Sequence, residues 1–355
     1  MTRLDKLRDQ MGAKGLNWLF VSNIFNVRYL SGFSGSTAGL VVSPAEAKLI
    51  TDFRYEEQAS QEAFPGVQVV IDKRDVLGAT CEMLASAEGK IGFEAGALPY
   101  GSFEKLAGAV KAELVPTEGM AESLRKVKDE AELASLLKAA RASDAVFGEI
   151  LREIRPGISE VDLAARIDFL LRQRSTDVPP FKTIVASGVR ASLPHAQPTP
   201  KPIDKGDLLT MDFGASVDGY CSDLTRTVVV GKASARQQEI YGIVLEANQK
   251  ALAGIKAGVK GNEADSLARQ HIEAKGYGER FGHGLGHGVG LEIHEEPRLS
   301  QKNIEVLEAG MVATVEPGVY IPGWGGVRIE DLMVVETEGC RLLSGAPKQL
   351  IEVGD

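Results

Sequence analysis

Two aspartates with the spacing of a β-hairpin are the first candidates for chemistry. Asp212 and Asp223 lie in β-rich runs on either side of Asp218-Gly219, a typical hairpin turn. A loop at Asp218-Gly219 places Asp212 opposite Thr225 and diagonal to Asp223, whereas a loop at Val217-Asp218 places the two aspartates directly opposite each other. Both registers put the carboxylates on one face. Such close like charges favour a cation between them; the alternative is an exposed turn with ordinary acidic residues.

A glycine-rich run contains three of the chain's five histidines, His283, His287 and His294. Its glycines remove side chains and let backbone or substrate approach closely. This concentration favours a functional role over three unrelated structural histidines. Dinucleotide binding is disfavoured, because no acidic ribose partner follows a βαβ unit at Gly284-Leu-Gly286.

Two glutamates lie in apolar β-rich runs of the C-terminal part. Glu316 ends the run 311–316, and Glu330 lies within the predicted strand 326–336. Alternation along that strand puts Arg328 on the same face as Glu330 and Asp331 on the other. A buried glutamate needs a partner, and Arg328 would explain only one of the two.

Together these side chains form a donor set for divalent ions: Asp212, Asp223, His287, Glu316 and Glu330. Four carboxylates carry a charge of −4, which matches two divalent cations. Oxygen-rich ligation with one imidazole suits manganese, cobalt, iron or zinc, and of these we expect manganese. Two such ions can share a bridging hydroxide as the nucleophile, so the set predicts a two-metal hydrolase.

The N-terminal 120 residues alternate β-rich runs with helical patterns, which predicts a small α/β domain with a mixed sheet. The predicted strands are 16–21, 39–43, 47–51, 67–71 and 90–94, and the predicted helices lie near 54–64, 75–87 and 101–111.

A long helical pattern from Met120 to Ile154 marks the joint to a second domain, and Ser159 is placed to cap a further helix through about residue 174. We therefore expect domains at 1–120 and 121–355. Strands are predicted at 208–214, 222–230, 311–316 and 326–336, and helices near 235–256 and 262–275.

The composition is that of a globular protein and excludes several classes. Of 355 residues, 44% are hydrophobic and 25% charged, which excludes a largely disordered, collagen-like or small disulfide-rich chain. The net charge of −9 argues against binding to nucleic acid or to an anionic membrane. With three distant cysteines and no apolar run typical of a secretory signal or a membrane span, we expect a cytoplasmic protein.

The ordered set of five ligands resembles that of the metallopeptidases with the pita-bread fold. The surrounding segments are similar to the proline-specific branch, aminopeptidase P and prolidase; they are 187–195, 211–214, 222–226, 283–294, 315–320 and 327–331. Segments 26–35 and 51–55 are similar to aminopeptidase P sequences. The resemblance implies a creatinase-type α/β N-terminal domain followed by an α+β pita-bread catalytic domain. It also implies a homodimer in which the N-terminal domain reaches toward the neighbouring site.

The same resemblance implies roles for individual residues. His195 would help the leaving proline nitrogen, His294 would stabilise the tetrahedral intermediate, and Glu316 would shuttle a proton besides binding metal. On the substrate side, His283 would line the proline site. Arg298 would meet a free substrate carboxylate, as in prolidases, unless it is a plain surface arginine. Arg328 would orient ligands or the groups behind them.

These implications predict a metal-dependent exopeptidase that cleaves the bond between an N-terminal residue and a following proline in small peptides. The N-terminal segments favour an aminopeptidase P, and the alternative is an Xaa-Pro dipeptidase, or prolidase. A methionine aminopeptidase fits Leu193-Pro-His195 less well. A non-catalytic peptide-binding protein and a creatinase-type hydrolase are disfavoured, because all five ligand positions are intact.

Overall fold

The protein is described by a computed structural model over residues 1–73 and 75–354. It divides into two compact units, Met1–Arg125 and Lys126–Asp355. The domain boundary expected between residues 120 and 121 lies inside the short helix Met120–Arg125. Among the described residues, none of the helices combines the length and the apolar character needed to cross a bilayer.

The N-terminal unit contains a mixed sheet, as predicted. Its strands follow the order β4-β3-β2-β1-β5-β6; β1 with β2 and β2 with β3 are antiparallel, and the remaining neighbours are parallel. The strands are β1 (Trp18–Val21), β2 (Ala38–Val42), β3 (Ala47–Asp52), β4 (Gln68–Asp72), β5 (Lys90–Glu94) and β6 (Glu113–Thr117). The helices are α1 (Arg3–Ala13), α2 (Ile24–Ser31), α3 (Glu56–Glu62), α4 (Val76–Leu84), α5 (Tyr100–Ala109) and α6 (Met120–Arg125).

Side-chain caps explain where the first helices of this unit begin. Thr2 and Asp5 form a capping box at the start of α1, and the Asn23 side chain accepts from the Phe25 N–H at the start of α2. Helix α2 was not predicted, because two turns are too short for a helical period to be distinguished in the sequence.

The C-terminal unit is built on two sheets and four longer helices. One sheet has the order β19-β11-β8-β7 and the other β13-β12-β14-β17-β18, while β9-β10 and β15-β16 form hairpins. The helices are α7 (Glu130–Ile150), α8 (Glu160–Arg174), α9 (Ala235–Gly254) and α10 (Gly261–Ala274). The strands are β7 (Ile184–Ser187), β8 (Leu208–Phe213), β9 (Ser216–Val217), β10 (Tyr220–Cys221), β11 (Leu224–Val230), β12 (Gly286–Gly288), β13 (Glu295–Leu299), β14 (Val312–Val315), β15 (Gly318–Ile321), β16 (Gly325–Arg328), β17 (Asp331–Val335), β18 (Cys340–Leu342) and β19 (Glu352–Val353).

Two expected elements are interrupted. The helical pattern 120–154 forms α6 and α7 as separate helices, because Asp129 starts α7 with a capping box to Glu132. The expected strand 326–336 forms β16 and β17, with Glu330 in the break. Its cause is a change of partner: β16 pairs with β15, whereas β17 pairs with β14.

Candidate metal centre

The hairpin that carries the aspartates adopts the first of the two predicted registers. Val217 pairs with Tyr220 and Asp212 pairs with Thr225, so Asp218-Gly219 forms the two-residue loop. Both loop residues have positive φ, 54° at Asp218 and 81° at Gly219, as a tight turn of this type requires. Asp212 therefore lies on β8, and Asp223 lies directly before β11.

Two glycines of the histidine-rich run allow β12 to fit between β13 and β14. A Cβ atom at Gly286 would lie 2.0 Å from the Thr314 carbonyl oxygen, and one at Gly288 would lie 2.2 Å from that of Glu296. No side chain fits at either distance. This close packing fixes the strand that presents His287.

The His287 ring presents its Nε2 atom to carboxylates. Its Nδ1 lies 3.1 Å from the Gly288 carbonyl oxygen and donates to it, which leaves the lone pair on Nε2. Nε2 lies 3.6 Å from Asp223 Oδ2 and 3.4 Å from Glu316 Oε1. Burial lowers the pKa of His287 to about 3, so the ring is neutral and these contacts are not ion pairs. A neutral imidazole is the form that binds a metal.

Three predicted ligands lie at the spacing of a metal site: ligand atoms of Asp223, His287 and Glu330 are all within 4.8 Å of one another. Glu316 joins the group through its contact with His287. The Oδ1 atom of Asp212 is buried, and among the described residues it has no hydrogen-bond partner. A buried carboxylate oxygen without a donor is costly unless a cation binds there.

All four carboxyl groups have raised pKa values, and burial is the largest cause for each. The pKa of Glu316 rises to about 7. The pKa values of Asp223 and Glu330 rise well above their ordinary values, because neighbouring carboxylates add to the effect of burial. The group cannot be fully ionised without added positive charge. Its residues therefore fit divalent ions, which oxygen and imidazole donors prefer.

Arg328 connects two of these carboxylates. Its side chain is 4% exposed, and Nη2 donates to Asp212 Oδ2 at 2.7 Å. Its Nε donates to Thr225 Oγ1 at 3.0 Å, and this hydroxyl donates to Glu330 Oε2 at 2.6 Å. The arginine thus pairs directly with Asp212 and reaches Glu330 only through Thr225. Such contacts orient ligand side chains.

The other terminal nitrogen of Arg328 is connected to His283 through the Tyr320 hydroxyl. Nη1 donates to the Tyr320 hydroxyl and to the Pro194 carbonyl, both at 3.1 Å. The Tyr320 hydroxyl donates to His283 Nε2 at 2.9 Å, since His283 Nδ1 donates to the Gly284 carbonyl. Burial lowers the pKa of His283 to about 4, which keeps the ring neutral. Its orientation is therefore fixed from both ring nitrogens.

The predicted ligands line a cavity of about 570 Å³ together with the remaining predicted site residues His195, His283, His294, Arg298 and Arg328. His195 and His294 are exposed to it. The centroid of the His294 ring is 4.3 Å from that of His287. Arg298 lies opposite His287 in the register of β12 with β13, and its side chain is 44% exposed. The arrangement can hold cations and present neutral imidazoles and a guanidinium to a small ligand.

Three residues of this site were given no role in the sequence analysis: Thr225, Tyr320 and Lys182. One of the two predicted hairpin registers placed Thr225 opposite Asp212, so that signal was present. Tyr320 depends on contacts between distant segments, and Lys182 on the path of the chain before β7; local periodicity contains neither.

Comparison with known proteins identifies a family for each of the two units. Residues 134–337 match the model of metallopeptidase family M24, and residues 3–127 match that of the creatinase/prolidase N-terminal domain. An Xaa-Pro dipeptidase of Pyrococcus horikoshii is 37% identical over 98% of each chain.

Solved structures agree with this match. An Xaa-Pro dipeptidase from Bacillus anthracis has a TM-score of 0.95 at 44% identity, with 99% of each chain covered. An X-Pro aminopeptidase from Thermotoga maritima has a TM-score of 0.91 at 35% identity, covering 99% of this chain and 100% of the other. The C-terminal unit thus has the pita-bread catalytic fold, and the chain belongs to metallopeptidase family M24, with a creatinase-type N-terminal domain.

Proposed function

We propose that this metallopeptidase is an Xaa-Pro dipeptidase with two divalent ions, bound by Asp212, Asp223, His287, Glu316 and Glu330. The buried Asp212 Oδ1, which has no donor among the described residues, lies amid carboxyl groups of raised pKa and supports this set of ligands. Relatives named Xaa-Pro dipeptidase at 37% and 44% identity over nearly the whole chain favour this function over the aminopeptidase P expected from the N-terminal segments.

The position of Arg298 in the cavity is the observation that favours a dipeptide as the substrate. Its guanidinium lines the cavity, and its nearest ion-pair partner, Glu296 Oε1, is 4.0 Å away on a side chain that is 43% exposed. A guanidinium held so loosely by its neighbour is available to a second carboxylate. In an Xaa-Pro dipeptide the proline carboxylate is free and lies close to the scissile bond, whereas in a longer peptide it is an amide.

The remaining residues supply proton transfer and orientation. Bound divalent ions would polarise the scissile carbonyl and lower the pKa of a water molecule. Glu316, whose pKa is about 7 in the protein without ions, is suited to exchange a proton near neutral pH. In this proposal His195 protonates the proline nitrogen, which carries no N–H in the peptide. His294 donates to the developing oxyanion.

The experiment compares Ala-Pro, Ala-Pro-Ala and Ala-Pro-amide, with manganese or with a chelator. We expect chelator-sensitive cleavage of Ala-Pro and little cleavage of the other two. Arg298→Gln should lower kcat/KM for Ala-Pro by about tenfold or more, the loss of a charge-assisted hydrogen bond. Arg280→Gln is the matched control, because Arg280 is an exposed arginine outside the cavity. Preference for the tripeptide with no effect of Arg298→Gln would instead identify an aminopeptidase P.

Three further expectations stay predictions: manganese as the metal, a homodimer and a cytoplasmic location. Metal content after purification and the mass of the protein in solution test the first two.

A further inference from the structure

Two cations of the cavity besides the buried Arg328 lie on, or directly before, outer strands of different sheets. Lys182 lies two residues before Ile184 of β7, the strand that pairs with the Asp212 strand at the edge of its sheet. Arg298 lies on β13, the end strand of the other sheet, beside the His287 strand. Both side chains line the cavity that contains the proposed ligands. Each sheet therefore contributes one cation next to a strand that carries a ligand.

Among the described residues that line the cavity, the only carboxylates near Lys182 are the proposed metal ligands. They are Asp212, Asp223, Glu316 and Glu330. Lys182 is exposed, and it has no ion pair or hydrogen bond with a described residue. Once two divalent ions balance the four carboxylates, Lys182 and Arg298 leave the cavity with positive charge. An anionic group on a substrate is then attracted and a cationic group is repelled.

An Xaa-Pro dipeptide can supply two anionic groups, the proline carboxylate and an acidic side chain on the first residue. If Arg298 binds the proline carboxylate, Lys182 on the other sheet is the cation left for that side chain. We propose that Lys182 makes the enzyme selective for Xaa-Pro dipeptides whose first residue is aspartate or glutamate. This inference rests on the proposed dipeptidase function.

The test compares Glu-Pro with Gln-Pro, which have nearly the same shape and differ in charge. For the metal-loaded enzyme we expect kcat/KM to be about fivefold higher for Glu-Pro, the effect of about one exposed ion pair. The difference should lie mainly in KM, because the attraction acts equally on bound substrate and transition state. It should decrease as salt rises from about 0.05 M to about 0.5 M.

Substitutions identify the residue responsible. Lys182→Gln should bring the Glu-Pro to Gln-Pro ratio to about one, and Lys182→Glu should reverse it, while Gln-Pro and Ala-Pro are cleaved as before. Lys250→Gln is the matched control, an exposed lysine on α9 that does not line the cavity. It should leave the ratio unchanged.

If dipeptides are cleaved, either of two results would overturn the inference. One is a ratio near one in the unsubstituted enzyme. The other is an equal loss for Glu-Pro and Ala-Pro in Lys182→Gln, since Lys182 would then bind the proline carboxylate. If only tripeptides are cleaved, the dipeptidase function fails, yet a preference for Glu-Pro-Ala over Gln-Pro-Ala that depends on Lys182 would still support the selectivity. No cleavage of any proline peptide would refute both.

Discussion

His287 and His294 have neighbouring rings, yet their environments differ. His287 is held by the Gly288 carbonyl with its free nitrogen toward Asp223 and Glu316, and the pKa of its ring is about 3. His294 is exposed to the cavity, and partial burial together with the charge of Arg298 lowers its pKa to a smaller extent. These environments suit a metal ligand and a group that contacts substrate, respectively.

Alanine substitutions should separate the two roles. His287→Ala should weaken metal binding by about tenfold or more, because a ligand is lost. His294→Ala should retain the metal and lower kcat by about 100-fold, the typical effect of removing an oxyanion donor. Metal content after dialysis and kcat are measured on both variants. Loss of metal from His294→Ala would show that His294 is a ligand.

Thr225 offers a test of a residue that acts only through others. Its hydroxyl accepts from Arg328 and donates to Glu330. Thr225→Val should weaken metal binding by about tenfold, because Glu330 loses its orienting donor and the buried Arg328 loses an acceptor. Thr225→Ser keeps the hydroxyl and should bind metal as the unsubstituted protein does. Titration with manganese measures both; equal affinities for the Val and Ser variants would contradict the role.

At the scale of helices and strands, turns and helix caps could be predicted from the sequence, but the pairing of one strand with another could not. The hairpin turn and the Ser159 cap of α8 were predicted, because turn and cap chemistry is local, although two hairpin registers stayed open and the structure has the one with the loop at Asp218-Gly219. The break at Glu330 was missed, because β16 pairs with β15 whereas β17 pairs with β14, and the alternation of residues does not indicate where a strand changes its partner. The convergence of the five ligands was inferred from residue types and a family resemblance, since periodicity does not specify which strands meet.

A buried ion pair holds Glu295, the residue that follows His294 and begins β13. Lys128, directly before the Asp129 cap of α7, pairs with Glu295 Oε1 at 2.6 Å, and the side chains are 1% and 6% exposed. Lys126 makes a comparable pair with Glu305, but those side chains are 21% and 32% exposed. The two pairs have the same chemistry and differ in burial.

Burial predicts a large difference between the two lysines. Lys128→Met should lower the free energy of unfolding by about 3–5 kcal/mol, because the Glu295 carboxylate stays buried without its lysine. Lys126→Met should lower it by at most about 1 kcal/mol. Urea unfolding of both variants in parallel measures the difference. Equal effects would show that the buried pair contributes no more than the exposed one.

For the molecule as a whole, a rise in pH should lower the contribution of Glu316 to the stability of the metal-free protein and should raise the affinity for metal. The pKa of Glu316 rises from 4.5 to about 7 on folding, so without metal the folded state binds more protons than the unfolded state between those values. The contribution of Glu316 to the stability of the metal-free protein is therefore fully present below about pH 4.5 and falls as pH rises toward about 7. Metal binding releases those protons, so its affinity should rise over the same range.

Thermal unfolding in chelator and in manganese checks this at about pH 5.5 and pH 7.5. The melting temperature in chelator should be lower at the higher pH, and the increase caused by manganese should be larger there. An increase from manganese that is independent of pH would contradict a site whose carboxyl groups bind protons in the absence of ions.

Arg328 has a consequence for how the protein responds to chelators. Its guanidinium is held by a main-chain carbonyl and by the hydroxyls of Thr225 and Tyr320, none of which is a proposed ligand. The carboxylates that it orients therefore keep their places without an ion. Inactivation by a chelator should then be quickly reversible on adding manganese, with no refolding step, and one set of side chains should accept ions of similar size in exchange.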